Sequence, residues 1–368
     1  MLSMIKTFTL ALLILSSVFL QTSLAKAEEH RPIVKELIAL LSRNSQIKQE
    51  LEKSLSISNR FKEPYLKSFY MFLDDMVVLI PTDRNANPKM LEFYYNINHS
   101  DNGFLQKDLQ FQRWTHKFAN EWGAFLDTPA SATKLSAFYE NPIFHIDDYD
   151  RGTTGWLTFN QFFYRHVKPG KRPIDGLCDD KVIVSPADSV IQGSWNINEN
   201  STITAKGLEW SMHDLLDGSP YQDRFKGGIY THMFLNVNDY HRYHLPVKGK
   251  ILEARKIHGK VVSDVMLKED GTLDDIIGPT FQFHQERALI VIDSPVGLVA
   301  VLPIGMAQVS SVNLTLEKGL KLVKGDEIGY FSFGGSDVVV LFEANRVKIT
   351  AKAGTHYKQG ETIAVTND

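Results

Sequence analysis

Between residues 145 and 175 the spacing of apolar side chains changes, and with it the secondary structure the chain can form. Before that point, from His30 to about Leu79, Ile33, Leu37, Ile38 and Leu41, and then Leu66, Phe69, Tyr70, Leu73 and Met76, recur at the spacing that lines one face of a helix. Phe93, Tyr94, Phe111, Trp114, Phe118, Trp122 and Phe125 continue among polar residues, a pattern that predicts core packing. The segment Trp156 to Arg165 then runs into the breaker-rich Lys168-Pro169-Gly170-Lys171-Arg172-Pro173. Beyond it short β-branched runs alternate with turns: Val182-Ile183-Val184, Val190-Ile191, Ile229-Tyr230, Leu289 to Ile292, Leu298 to Leu302, and Val347-Lys348-Ile349. Gly319, Gly325, Gly329, Gly334, Gly335, Gly354 and Gly360 fall at turn-like intervals, which predicts a compact curved sheet or barrel of short strands. The expected fold class is α+β, with a helical domain over 28–150 and a mainly β domain over 151–368.

A length of 368 residues with 43% hydrophobic side chains leaves room for two domains, so core size is not limiting. The formal charge of -3, from 40 basic and 43 acidic residues, gives no bulk attraction to nucleic acid, and no nucleic-acid partner is expected. At the start of the chain Lys6 precedes an apolar stretch from Phe8 to Leu20, followed by the small-x-small triplet Ala25-Lys26-Ala27. Residues 1–27 therefore read as a secretory signal peptide, and the protein is expected to be exported: periplasmic, secreted or membrane-associated. The apolar stretch is shorter than the roughly 20 residues of a spanning helix, which favours a removed signal over an uncleaved tether. Cys178 is the single cysteine, so stability must come from packing and not from an intrachain disulfide.

Near the C-terminus Phe331-Ser332-Phe333-Gly334-Gly335-Ser336-Asp337 leads directly into the apolar run Val338-Val339-Val340-Leu341-Phe342. Two residues without a Cβ let the backbone take strained torsions and bring the Ser336 hydroxyl to the carbonyl before it, while the following strand holds the serine rigid. Attack of Oγ on the Gly335 carbonyl would turn the peptide bond into an ester. Elimination with loss of ammonia would then leave a pyruvoyl group. The same residues also suit an ordinary glycine turn entering a buried strand, so other segments must decide.

Asp239-Tyr240-His241-Arg242-Tyr243-His244-Leu245-Pro246 sets two histidines three residues apart. Each imidazole could simply be satisfied in a loop. A shared metal, with His232, His258 or Asp188 as further ligands, is a second reading. The glutamate of H-E-x-x-H is missing and the lone cysteine lies elsewhere, so no metal is expected. Acid–base work is the third reading. Ser185-Pro186-Ala187-Asp188 places a carboxylate in a turn after the Val182 to Val184 run, where an Asx-type turn is the plain alternative. Asp, His and Ser together are nevertheless the set that activates a poor nucleophile: His takes the serine proton, and Asp orients the His and stabilises the imidazolium.

Taken in order, these segments resemble the phosphatidylserine decarboxylase family of pyruvoyl enzymes. The resemblance runs through Phe159-Asn160-Gln161-Phe162-Phe163, Lys168 to Ile174, Ser185-Pro186-Ala187-Asp188 and Asp239 to Pro246. It continues through Pro303 to Val312 and Lys324 to Phe331 to Phe333-Gly334-Gly335-Ser336, covering roughly residues 150 to 350. It implies that Asp188, His244 and Ser336 form a self-cleavage triad, and that His241 serves decarboxylation beside the finished pyruvoyl group. The cofactor is then covalent and derived from Ser336. Cutting between Gly335 and Ser336 gives a β chain and an α chain that stay associated, because Val338 to Phe342 lies in the core. The implied reaction converts phosphatidylserine to phosphatidylethanolamine with release of carbon dioxide through a Schiff base, with His241 as the acid that protonates the carbanion.

Several features depart from the family pattern. Asp337 stands where the family often has Thr or Ser, and a negative charge there is expected to disfavour the developing oxyanion and slow maturation. The Phe331 to Ser336 form, Ile304-Gly305-Met306 and the N-terminal extension look more like a divergent branch that includes decarboxylases of free aromatic amino acids. A soluble amino acid is therefore the alternative substrate. Lys324 to Gly329, in a glycine-punctuated β context, also resembles lipoyl-like modules, so a non-catalytic exported binding protein is the alternative of another class. Export fits an enzyme in peripheral contact with a membrane, but no strong basic amphipathic helix marks lipid contact. Arg242 suits either an anion contact or packing among its aromatic neighbours, and no role is assigned to it.

Overall fold

Helix formation in the first part follows from spacing and caps. The computed structural model describes residues 29–82, 86–205, 208–275, 283–305, 311–334 and 336–367. The expected signal segment, Met306 to Ser310 and Gly335 lie outside them. Pro32 opens the Pro32–Arg43 helix, which buries Ile33, Val34, Leu37 and Leu41. Asn44 caps the Ser45–Ser58 helix by accepting a hydrogen bond from Ile47 N, and Asn59 ends it in the left-handed region at φ 51°. Tyr65–Met76 and Ala86–Ile97 follow. The Leu109–Leu126 helix is capped by the Asp108 carboxylate, which accepts from the amides of Gln110 and Phe111. Its buried face carries Phe111, Trp114, Phe118, Trp122 and Leu126, and the Trp122 indole donates to the Leu79 carbonyl at 2.8 Å.

Downstream, eight described strands form one antiparallel sheet. In spatial order they are Lys321–Leu322, Gly249–Ile257, Arg287–Ser294, Gly297–Gly305, Ser336–Phe342, Ile229–Leu235, Ser189–Asn196 and His356–Tyr357. The described strands make an open sheet with two short edges, which realises the sheet and not the barrel of the two expected forms. A smaller sheet joins Val312–Leu314, Glu327–Phe331 and Arg242–His244.

The Ser336–Phe342 strand lies inside the large sheet and is buried at every position. Seven residues pair with Ile229–Leu235 on one side and seven with Gly297–Gly305 on the other. Successive side chains of a strand leave by opposite faces. Val338, Val340 and Phe342 enter the core that also contains Phe118, Trp122 and the rest of the helical part. Val339 and Leu341 enter a second core with Tyr230, Leu215, Leu216 and Phe283. Burying the five side chains from Val338 to Phe342, all at 0% exposure, is worth roughly 8–15 kcal/mol relative to leaving them in water. The residue at the head of this strand is therefore held from both sides by the most deeply buried part of the molecule.

Candidate active site

Ser336 is that first residue, paired with Leu235 and Gly305 on its two neighbours. It is fully buried, and its hydroxyl has no hydrogen-bond partner among the described residues. Leaving a buried hydroxyl unpaired costs on the order of 1–3 kcal/mol, a penalty that a purely structural serine has no reason to carry. Just upstream, Gly334 has φ 143°, a backbone region that side chains rarely adopt. Phe333 N–H donates to the Asn160 side-chain oxygen at 3.0 Å. The Phe333 ring packs between Trp122, Phe159 and Phe163 at centroid distances of 5.3, 5.3 and 5.4 Å.

Asp337 is turned away from Ser336. Its carboxylate leaves by the opposite face and lies 2.8 Å from His232 Nε2, with both side chains buried. The charge expected to oppose an oxyanion at the processing site thus belongs to a buried pair on the other side of the sheet.

His244 lies on the Arg242–His244 strand, where its amide donates to the Pro186 carbonyl at 2.8 Å. Its Nδ1 is 2.8 Å from the Gly325 carbonyl and its Nε2 is 3.0 Å from the Tyr240 hydroxyl. A carbonyl can only accept, so Nδ1 carries the proton and Nε2 accepts from Tyr240. Burial lowers the proton affinity of His244 below the usual histidine range, against smaller opposing effects of the Gly325 carbonyl and of Glu327. The result is a neutral imidazole with its basic nitrogen at Nε2.

Asp188 does not orient this imidazole by a hydrogen bond. Arg172 grips its carboxylate through Nε at 2.8 and 3.1 Å and through Nη2 at 2.5 Å. The Gln359 amide adds a bond of 2.8 Å. The neighbouring Pro186 carbonyl joins the Asp188 turn to His244, and Asp188 acts on the imidazole through its charge, favouring protonation. The wiring thus differs from the expected relay: Gly325 sets the tautomer, and Arg172 shares the Asp188 charge.

His241 stacks on Phe163 with ring centroids 3.8 Å apart and is fully buried, with neither ring nitrogen hydrogen bonded among the described residues. Burial, reinforced by the nearby Arg165 cation, pushes its proton affinity well below the usual range. The near-neutral acid expected from the sequence is, in this environment, a neutral imidazole. Arg165 holds the surroundings together. Its guanidinium donates to the carbonyls of Phe162, Phe163, Asn238 and Asp239, which locks the Phe159–Phe163 helix to the segment carrying His241.

Asn160, Arg165, Arg172 and Tyr240 thus shape the site, although sequence reasoning assigned them no role. The available signal was their position inside the quoted motifs, as polar groups among aromatics. Arg242 bonds to the Tyr164 carbonyl and Glu327 at 2.7 Å each and lies over the rings of Tyr164 and Tyr330, a packing role. Among the described residues no group of three His, Cys, Asp or Glu side chains is placed to hold a metal. His258 Nδ1 lies 3.2 Å from Glu286 Oε1.

The fission yeast Schizosaccharomyces pombe protein "Phosphatidylserine decarboxylase proenzyme 3" is 37% identical over 61% of this chain, which spans only 22% of that protein. The "Phosphatidylserine decarboxylase proenzyme" of Fusobacterium nucleatum is 32% identical over 63% of this chain and 76% of its own length. The protein of the same name from Clostridium botulinum is 30% identical over 66% and 80%. A solved structure, glucose permease IIA from Mycoplasma capricolum, aligns with 50% of this chain and 94% of its own at 14% identity, and its TM-score of 0.26 is too low to carry an argument. The family model for phosphatidylserine decarboxylase matches residues 159–365, more than half of the chain. That span takes in Asp188, His241, His244 and Ser336 together with the residues that hold them, and the chain belongs to the phosphatidylserine decarboxylase family.

Proposed function

We propose that the protein is a pyruvoyl-dependent carboxy-lyase that converts phosphatidylserine to phosphatidylethanolamine after cutting its own chain between Gly335 and Ser336. The observation that carries this reading is the buried Ser336 hydroxyl at the head of an interior strand, without a hydrogen-bond partner among the described residues and two residues after Gly334, whose backbone favours glycine. Ser336 Oγ and His244 are not hydrogen bonded in this structure; in this reading His244 Nε2, which carries no proton, exchanges the Tyr240 hydroxyl for the Ser336 hydroxyl and takes its hydrogen. The freed oxygen forms an ester bond to the Gly335 carbonyl carbon as the peptide C–N bond breaks, and His244 returns the proton to the released Ser336 nitrogen. Loss of the Ser336 Cα proton then expels the Gly335 carboxylate, and water replaces the nitrogen, which leaves as ammonia. The pyruvoyl group so formed supplies a ketone that accepts a substrate amine and draws in the electrons released with carbon dioxide.

The residues present suit such a group. The precursor Ser336 hydroxyl is buried, and neither it nor the His241 ring nitrogens have a hydrogen-bond partner among the described residues. In this reading His241 gains its proton when an anionic substrate enters beside it, offsetting the effects of burial and of Arg165, and delivers it to the substrate carbon. The names of the relatives favour phosphatidylserine over a free amino acid. Export through the 1–27 segment and peripheral contact with a bilayer belong to the same proposal, supported by the sequence pattern and by the lipid substrate. No described helix is long and apolar enough to cross a membrane.

Mass spectrometry of the purified full chain tests the cut. Two fragments parting at Gly335/Ser336, the smaller with a carbonyl-bearing terminus, are expected; a single intact chain would remove the reading. Carbon dioxide release from phosphatidylserine vesicles, set against free tryptophan, tests the substrate. His241→Ala is expected to cut normally but to decarboxylate on the order of 10²-fold more slowly or worse. Normal turnover in that variant would take the acid role from His241.

A further inference from the structure

The helical part of the chain reaches the processing segment directly through Trp122 and indirectly through Asn160. Asn160 is 1% exposed, and both ends of its amide are committed. Its oxygen accepts the Phe333 N–H at 3.0 Å, two residues before the proposed scissile bond. Its nitrogen donates to Asp127 Oδ1 at 3.0 Å and to the Gly123 carbonyl at 3.3 Å. Gly123 lies in the last turn of the Leu109–Leu126 helix, and Asp127 caps that helix. The orientation of the amide is fixed by its partners, because an N–H needs an acceptor and a carbonyl or carboxylate needs a donor. Trp122, from the same turn, lies against the Phe333 ring.

Intramolecular attack depends on holding the two reacting groups in register. On the Ser336 side, the interior strand does this. On the other side stands Gly334, in a region open to glycine and preceded by Phe333. A hinge of this kind leaves the carbonyl free to wander unless the chain just before it is anchored. Asn160 and the pocket around the Phe333 ring are that anchor, and Gly123, Asp127 and Trp122 come from outside the residues that the family model matches.

We propose that Asn160, held by Asp127 and Gly123, is a positioning residue for self-cleavage, so that the helical part of the chain is a working component of the processing machinery. This rests on the reading that the chain cuts itself at Ser336. The Asn160 contact holds the chain on the carbonyl side of the bond, so its effect is assigned to ester formation.

Full-length chain made by cell-free synthesis, followed for the appearance of the two fragments, tests this. Asn160→Ala and Asn160→Asp are expected to slow cutting at least tenfold, the second because it loses the donor and faces Asp127 with a like charge. Asp127→Asn keeps an acceptor oxygen and should cut within about twofold of the unaltered chain, whereas Asp127→Ala should be slow. Hydroxylamine, which opens esters, should not restore cutting in Asn160→Ala if the anchor governs ester formation. With Ser336→Ala present to prevent cutting, adding Asn160→Ala should change the melting temperature by only a few degrees. Cutting of Asn160→Ala at the unaltered rate would overturn the proposal, as would recovery with hydroxylamine. Loss of cutting matched by a collapse in melting temperature would also overturn it, by reducing Asn160 to a structural residue. An unaltered chain that stays intact would instead remove the self-cleavage reading and this proposal with it.

Discussion

With the Gly325 carbonyl fixing its proton on Nδ1, His244 presents Nε2 as an acceptor before any chemistry begins. Burial favours the neutral form further, so His244 loses the ability to act as a base only at a pH below the ordinary histidine value of 6.5. The rate of self-cleavage should therefore fall as the solution is made acid and Nε2 becomes protonated, with a midpoint below 6.5. Fragment appearance after a pH jump measures this, and a midpoint at or above pH 6.5 would contradict the assignment. Asp337 yields a second test. Its pairing with His232 on the opposite face predicts that Asp337→Asn leaves the cutting rate within about threefold, where a charge facing the oxyanion would require acceleration. Asp337→Ala removes a buried hydrogen bond to His232, so it should cost about 1–3 kcal/mol in urea unfolding of the uncut Ser336→Ala chain. Asp188, His241, His244 and Ser336 are legible in the sequence because reactive side chains stand out against apolar runs. Their partners are not, because they arrive from far along the chain: Asn160 meets Phe333 across 173 positions, and Asp188 meets the Gln359 amide across 171.

The Ser336–Phe342 strand shows how far pattern reading extends for an element. Five consecutive apolar residues after a double glycine announce a buried strand, and the structure contains one. The choice of neighbours could not be read, since the pairing with Ile229–Leu235 and Gly297–Gly305 is long-range and many β-branched runs compete for each place. The same limit explains why the glycine spacing suggested a sheet or a barrel without distinguishing them. Interior placement has a consequence for the cut protein. A break before the first residue of the strand leaves Asp337 to Phe342 in both ladders, with only the contribution of the Ser336 N–H lost, and both flanking strands remain in the larger fragment. The small fragment should co-purify with the large one in buffer and separate only in denaturant. Leu341→Ala, which opens a cavity in the second core, should lower the urea midpoint for separation by an amount equivalent to about 2–5 kcal/mol. Free small fragment in native size-exclusion profiles would show that the strand is not held as its two ladders require.

Division of the chain by composition near residue 150 does not divide its interior. The cluster that buries Ile33, Leu51, Phe93 and Phe118 in the helical part is continuous with the one that buries Met233, Val301, Val338 and Val340 in the sheet. The change in hydrophobic period marks a change of secondary structure, and secondary structure is set locally, whereas a core is shared by whatever faces meet across it. Phe333 lies at the junction, with Trp122 on one side and Phe159 and Phe163 on the other, so the proposed processing segment is seated where the two parts are joined. A shared interior couples distant elements: the sheet cannot lose its helical cover without exposing the face that carries Val338, Val340 and Phe342. Phe118→Ala should destabilise the molecule by about 3–5 kcal/mol. Because the core is common, that loss should appear in the strand as well as in the helix that contains the substitution. Amide hydrogen exchange of the uncut Ser336→Ala chain measures both at once, with protection expected to fall roughly 10²-fold or more in Leu109–Leu126 and in Ser336–Phe342 alike. Unchanged protection in the strand would mean that the helical part opens alone, and that its contacts with the processing segment are too weakly coupled to hold it.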